Sequence, residues 1–310
     1  MAETSYNTLA GLVQVNDKNL AALDVTDLLD EAPLMKVLFA QVASNGTLHK
    51  YLKQTGASSA AFRDALDGAT KTASKDTLVT DTLKILDASF DTDVALADGF
   101  DGGRDAWLQR ELIRSLKQVM FESESQVIYG AGNDAKGFAG LHDNAQLDAV
   151  ADAMVIECAT PGSTGSSQTS VYLIRSGKDD CSFILGNKGK IVAEEPTIIQ
   201  KSGSGSGVFP ALYVPVTGYA GFQIGGAYSA ARICNIETAL TDDDLYNGLS
   251  LFPSSRQANL IVMNRTALKF LRQSRTATNP SGDPAPRPTS VDGIPIVCTD
   301  AVLDTEAVET

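Results

Sequence analysis

Between Arg104 and Ser125 the chain runs without a proline or a glycine. That is room for a helical rod of roughly 33 Å at 1.5 Å per residue. Leu108, Leu112, Ile113, Leu116, Val119 and Met120 fall in one broad sector at about 100° per residue, while Arg110, Arg114, Lys117 and Gln118 take the other side. Trp107, the only tryptophan, and Phe121 project towards the polar side. Aromatics so placed either meet another subunit or cover a loop of the same chain. Gly102-Gly103 lets the chain turn before this helix. A Tyr129-Gly130-Ala131-Gly132 turn and a Gly137-Phe138-Ala139-Gly140-Leu141 loop follow it. The stretch from Asp101 to Leu141 reads as a junction between a reaching extension and a compact body.

The residues before the helix are of three kinds. Positions 1–24 are polar and weakly patterned, as suits an extended arm or a short helix. Asp24-Val25-Thr26-Asp27 looks like a helix start with acidic residues in its first turn. Pro33 suits the first position of a helix in which Leu34, Val37, Leu38 and Val42 share a face, ended by Asn45-Gly46. Thr47 to Leu52 is strand-like, and Gly56 to Lys75 has no clear period. Leu86, Ala88, Phe90, Thr92, Val94 and Leu96 then alternate with Asp87, Ser89, Asp91, Asp93 and Ala95. Such alternation predicts one strand of roughly 35 Å. A two-stranded extension of that kind is marginal in water, so it rests either on another surface or on its parent domain.

After the helix, positions 151–239 are β-rich. Val171–Arg175, Cys181–Leu185 and Ile191–Ala193 read as strands, with a hairpin turn at Gly177-Lys178-Asp179. Ser202 to Gly207 alternates serine and glycine as a flexible loop, without the lysine or strand–helix setting of a phosphate loop. Tyr219 to Ile236 is a strand pair or one bent strand broken at Gly225-Gly226. Thr241 with Asp242, Asp243 and Asp244 starts a helix that ends before Pro253. Leu260–Met263 is a buried strand, and Asn264 caps a helix from Arg265 to Gln273. A proline-rich loop spans 274–290. Ile294–Cys298 is a further strand, at an edge because of Pro295.

Composition narrows the function. A formal charge of −13 over 310 residues argues against a surface that wraps nucleic acid, which needs clustered cations. Cys158, Cys181, Cys234 and Cys298 form no C-x-x-C pair and sit among apolar residues, as buried thiols in a reducing compartment do. No run approaches the roughly 20 apolar residues of a membrane span, and no signal peptide is visible. His49 and His142 are the only histidines. His142 has Asp143 beside it, but adjacent residues rarely face each other, and there is no Gly-x-Ser-x-Gly elbow. The Asp242–Asp244 run is a helix start rather than a metal cluster. No catalytic, cofactor-binding or metal-binding residues are assigned, and no cofactor is expected.

Gln126-Val127-Ile128-Tyr129-Gly130 followed by Gly137-Phe138-Ala139-Gly140-Leu141 resembles the major capsid proteins of tailed bacteriophages, which share the Hong Kong phage-type fold. The segment from Asp244 to Gln273, with Gly293-Ile294-Pro295-Ile296-Val297 after it, is similar to that family's axial domain. The β-rich block ahead of the helical block departs from the order of the best-known members, as in a permuted variant. The resemblance implies an α+β capsid fold in six parts. These are an N-terminal arm (1–45), an extended hairpin loop (46–98), the spine helix with the peripheral domain (99–160), the β-rich part of the axial domain (161–212), peripheral strands (213–239), and axial helices and strands (240–310). It also implies a non-enzymatic subunit that joins copies of itself into hexamers and pentamers of an icosahedral shell around double-stranded DNA. Trp107, Phe121, Phe62 and Phe90 are the candidate inter-subunit contacts. The DNA is held weakly, and no membrane is involved. A separate scaffolding protein, a portal and a cement protein are the further partners, with assembly in the host bacterial cytoplasm. Lys71 and Lys75 lie where some relatives cross-link, but no asparagine or glutamate partner is identifiable, so no cross-link is expected. The alternatives are a cytoplasmic α+β enzyme using His142 or a cysteine, and a non-viral encapsulating shell.

Overall fold

The computed structural model describes residues 14–15, 29–56, 59–68, 73–159, 161, 165, 167–203, 207–279 and 283–309. In chain order the strands and helices are β1 (Gln14–Val15), α1 (Pro33–Val37), β2 (Ala40–Val42), β3 (Leu48–Gly56), β4 (Lys75–Thr82), β5 (Lys84–Asp87), β6 (Phe90–Asp93), α2 (Val94–Asp98) and α3 (Gly103–Tyr129). The second half contains β7 (Val155–Glu157), β8 (Thr169–Ile174), β9 (Cys181–Leu185), β10 (Lys190–Ala193), β11 (Thr197–Ser202), β12 (Val208–Val214), β13 (Val216–Ile224), β14 (Ala230–Ile236), α4 (Asp242–Ser250), β15 (Leu260–Met263), α5 (Arg265–Ala277), β16 (Ser290–Val291) and β17 (Ile294–Cys298). The candidate helix start at Asp24–Asp27, Lys71 and the tip of the serine–glycine loop lie outside the described residues.

The uninterrupted stretch forms α3, one turn longer than the sequence predicts. Leu116, Val119, Met120, Val127 and Ile128 are buried, and Leu108, Leu112 and Ile113 pack on the core from its margin. The helix stops at Gly130, whose φ of +52° suits glycine. The exit then folds back on the helix end. Leu141 and His142 donate their backbone N–H groups to the carbonyls of Val127 and Ile128. Gln126 Nε2 donates to the carbonyls of Phe138 (2.7 Å) and Asp134 (3.2 Å). Asp143 Oδ2 accepts from the amides of Ala131 and Gly140, each at 2.9 Å. Groups that a helix end leaves orphaned are thereby satisfied within the chain. The glycine-rich exit is a self-closing cap.

Two six-stranded sheets hold most of the core. One has the order β16-β17-β15-β8-β14-β7, with β8, β14 and β15 buried along their whole length. Helix α4 lies against β14 and β7, and α5 against β8. Both helices start as the sequence predicts. Thr241 and Asp244 form a reciprocal capping box, and Asn264 Oδ1 accepts from the Ala267 amide at 2.7 Å. The other sheet has the order β1-β10-β13-β9-β2, with β5 also paired to β13. A three-stranded sheet, β11-β12-β6, continues from it, because β12 runs through Pro215 into β13. Strands β3 and β4 pair only with each other among the described residues.

Five sequence expectations are corrected. Strand β17, expected at an edge because of Pro295, lies between β15 and the two-residue β16, with Pro295 opposite Ser290. The alternation from Leu86 to Leu96 is not one strand. It is interrupted at Ala88-Ser89, where Ser89 Oγ accepts from the Val216 amide at 3.0 Å. It then stops at Asp93, whose carboxylate caps α2 through the Ala95 amide at 2.8 Å. Its two halves pair with β13 and β12 of the body, so the reaching hairpin is β3–β4. The helix begun at Pro33 ends at Val37 rather than at Asn45. Residues Ala40–Val42 instead form a parallel strand on β9, as tertiary pairing overrides a weak local preference. Asn45-Gly46 becomes the turn into β3, with Gly46 at φ +55°. The turn at 177–179 does not make a hairpin of β8 and β9, which belong to different sheets. Likewise β13 and β14 are split between the two sheets rather than paired.

A Cβ on Gly130 would fall 1.7 Å from Asp143 Oδ2 and 2.4 Å from the Gly140 amide, whereas one on Gly132 would meet only Tyr129 Cβ, at 3.8 Å. Thermal unfolding of the subunit should therefore show Gly130→Ala losing more than about 3 kcal/mol, through overpacking added to left-handed strain. Gly132→Ala should stay within about 1 kcal/mol of the parent.

Candidate functional site

The β3–β4 hairpin projects from a root held by a polar network. Its register runs from Leu48↔Thr82 to Gly56↔Lys75. At the root His49 is buried. Its Nδ1 accepts from the Ser44 amide (3.3 Å), so its Nε2 carries the proton and donates to Gln223 Oε1 (2.9 Å). Gln41 Nε2 donates to the same oxygen (3.0 Å) and to Ser182 Oγ (2.7 Å), and Gln223 Nε2 donates to the Lys178 carbonyl (3.1 Å). Burial and then the neighbouring Asp81 push the Tyr51 hydroxyl well above its ordinary range. Away from this root, Leu52 and Leu78 are exposed, and Phe62 and Leu66 are fully so. A hairpin with this much exposed apolar surface, held at its root by a polar network, is the candidate contact element.

The four expected contact aromatics occupy different environments. Trp107 sits edge-on to Phe100 at 5.4 Å, donates Nε1–H to Thr92 Oγ1 at 3.0 Å, and lies under the Arg110 guanidinium. Phe90 and Phe121 are partly buried against the core. Phe62 is the one presented wholly to solvent.

Two buried ionisable centres escaped the sequence reading. In the first, Arg232 of β14 is fully buried. Its Nη2 donates to Glu306 Oε2 (3.1 Å) and Glu309 Oε1 (3.0 Å), its Nε to Ser170 Oγ (3.0 Å), and its plane lies near the Tyr172 ring. Glu306 Oε1 accepts from the Tyr129 hydroxyl, which itself accepts from the Leu303 amide (2.8 Å). The C-terminal tail is thus tied to the end of α3 and to the helix-covered sheet at one point. A charged residue inside the apolar strand Ala230–Ile236 was the available signal. The second centre is Glu124 on the inner face of α3, where Oε2 accepts from the Leu34 amide at 3.2 Å. Burial pushes its carboxyl up to about 7, against the opposing pull of Thr299 and of the Met35 and Leu34 amides.

His142, Cys181 and Cys234 lie in packed surroundings. His142 lies between Tyr129 (5.5 Å) and Tyr172 (6.4 Å). Burial, and then Arg232, push its pKa down, so it stays neutral. Burial raises the thiol of Cys181, and it pushes Cys234 up to about 11, so neither offers a thiolate near neutrality. Among the described residues no cluster of three metal-ligating side chains occurs, and no helix is long and apolar enough to cross a membrane.

This arrangement of a long helix, a hairpin and two mixed sheets is similar to that of chains in solved structures. A chain in the near-atomic structure of bacteriophage Epsilon15 matches with a TM-score of 0.62 at 22% identity, covering 87% of each chain. A chain of the bacteriophage JBD30 capsid matches at TM-score 0.48 and 10% identity, over 84% of this chain and 88% of that one. The SrpI encapsulin of Synechococcus elongatus matches at TM-score 0.42 and 10% identity, over 65% of this chain and 86% of that one. No curated protein sequence matches. The family described as Major capsid protein GP7 matches residues 17–309, and the chain belongs to it. This is a capsid shell protein of the tailed-phage type; it associates with its own copies, and its place is the virion capsid.

The two centres give separate stability tests. Glu306→Ala leaves the buried guanidinium with the partly exposed Glu309 as its one remaining carboxylate among the described residues. It should lower subunit stability by ~3–5 kcal/mol in denaturant titration, while the apolar double replacement Arg232→Met/Glu306→Leu should lose less. Glu124 is a group whose folded pKa is raised. Its contribution to stability is fully present below its unfolded value of 4.5 and is lost as pH rises through about 7. Glu124→Gln should therefore match the parent below pH 4.5. By pH 8 it should gain about 1–3 kcal/mol, read as a Tm difference that grows with pH.

Proposed function

We propose that the subunits close into hexamers and pentamers of an icosahedral shell, with the β3–β4 hairpin of each copy lying across its neighbour. The carrying observation is the hairpin itself: two strands that, among the described residues, pair only with each other, with Leu52, Leu78, Phe62 and Leu66 open to water. Such a ribbon lacks the third strand or packed face that independent stability requires, and a neighbouring copy would supply it. Contacts repeated around a closed ring hold firmly although each is modest. The arm (1–45), the hairpin loop (46–98), the spine and peripheral part (99–160 with 213–239) and the axial part (161–212 with 240–310) are the working units of this reading. Trp107, Phe90 and Phe121 are, with Phe62, the inter-subunit contacts of this reading. The net charge of −13 suits an inner wall that holds packaged DNA loosely. The subunit acts as a structural part rather than a catalyst. Assembly takes place in the host bacterial cytoplasm, directed by a separate scaffolding protein around a portal, with a cement protein outside, and without a covalent cross-link.

Deleting 56–75 tests the reading. Size-exclusion chromatography and negative-stain microscopy should show rings or closed particles for the full chain. The deletion should give a folded subunit, by circular dichroism, that stays small. Normal particles from the deletion would remove the hairpin from assembly, and a full chain that stays a small monomer would overturn the shell itself.

A further inference from the structure

A cavity of about 250 Å³ opens between α3, β5 and the 134–138 loop. Val119, Phe138 and Ala220 make an apolar floor, and Lys84, Lys136 and Glu122 stand around its mouth. It is smaller than the roughly 300–1,000 Å³ of a typical small-molecule site, and its size suits an aromatic side chain. At the other end of the hairpin, the 59–68 loop presents Phe62 and Leu66, both fully exposed. Arg63 Nη1 donates to the Asp67 carbonyl at 2.9 Å and keeps this loop compact. Leu66 adopts φ +77°, a conformation that leucine rarely takes. A large apolar pair held outwards in this way needs a receptor.

Resting on the shell reading, we propose that Phe62 of one copy, with Leu66 beside it, seats in the α3–β5 cavity of a second copy. The arm's own length argues for a second copy. Lys84, at the cavity mouth, follows the hairpin root at Thr82 after one residue, Leu83. The loop lies beyond Lys75, and β4 between them spans roughly 25 Å at about 3.3 Å per residue. The full exposure of Phe62 shows that its own cavity does not receive it. Plug and socket at opposite ends of one arm fit between copies placed head to tail, and contacts of this heterologous kind close into rings when the rotation permits. The charges match as well. Arg63 beside the plug meets Glu122 at the mouth, and Asp64 and Asp67 meet Lys84 and Lys136.

Cysteines placed beside plug and socket test this in the full chain, with Phe62 kept. Ala61→Cys/Glu122→Cys particles, mildly oxidised and run without reductant, should give a ladder of multiples of the subunit, with the parent staying at one subunit mass. Adding Phe62→Ser should lower the cross-linked fraction at least tenfold. If that variant forms no particles, Phe62→Leu in its place should restore both particles and ladder. Particles without inter-chain cross-links, cross-linking indifferent to Phe62→Ser, or failure of Phe62→Leu to restore it would overturn the plug while leaving the shell intact. A parent chain that forms neither rings nor particles would remove the shell reading and the plug together.

Discussion

Arg232 is buried inside a strand of the helix-covered sheet, and the end of the spine helix, that sheet and the C-terminal tail meet at the charge it carries. Removing a guanidinium from water is costly unless carboxylates and hydrogen bonds replace the solvent. Here the replacement comes from far along the chain: Glu306 and Glu309 from the C-terminal tail, and Ser170 from the neighbouring strand. Glu306 in turn receives the Tyr129 hydroxyl at the last residue of the spine helix. Helix end, sheet and tail can be satisfied only together. A subunit that must keep one shape under the load of its neighbours gains from such a dependence, since a half-formed version leaves a buried charge unpaired.

The spine helix has a different environment at each end. Its C-terminal end is buried and closed by Asp143 and Gln126, which leaves the glycine-rich exit no free donors at those positions for a ligand. Its N-terminal end is half-exposed and carries the Trp107–Phe100 contact beside the strand that leads out of the hairpin. The hairpin root, through His49, Gln223 and Gln41, is fixed to the second sheet, while the two hairpin strands pair as strands only with each other among the described residues. Rigidity is concentrated where the arm is aimed, and apolar surface is left where the arm reaches. That distribution suits the proposed shell role, in which a neighbouring copy covers the arm.

Much of this was legible in the residues. The spine helix, the capped starts at Thr241 and Asn264, and the strands at Leu260–Met263 and Ile294–Cys298 follow from local rules, because periodicity and caps act within a few residues. The alternation from Leu86 to Leu96 misled because Asp87 and Asp93 were not a solvated strand face. They bond to the Ser89 and Ala95 amides and break the strand. The helix from Pro33 failed beyond Val37 because a parallel edge on β9 was available to Ala40–Val42. Of the contact aromatics, Phe62 had the least sequence context and is the most exposed.

The sequence by itself determined the helix, its stops, the caps and the acidic balance, since each depends on neighbours along the chain. The tertiary structure alone decided which strands share a sheet, why β8 and β9 part company, and where Arg232 and Glu124 find partners. Those outcomes depend on residues far apart along the chain, as with Ala40 paired to Phe183, or Glu124 bonded to Leu34 90 positions away. Local pattern cannot encode a pairing whose two halves are brought together only by the packing of everything between them.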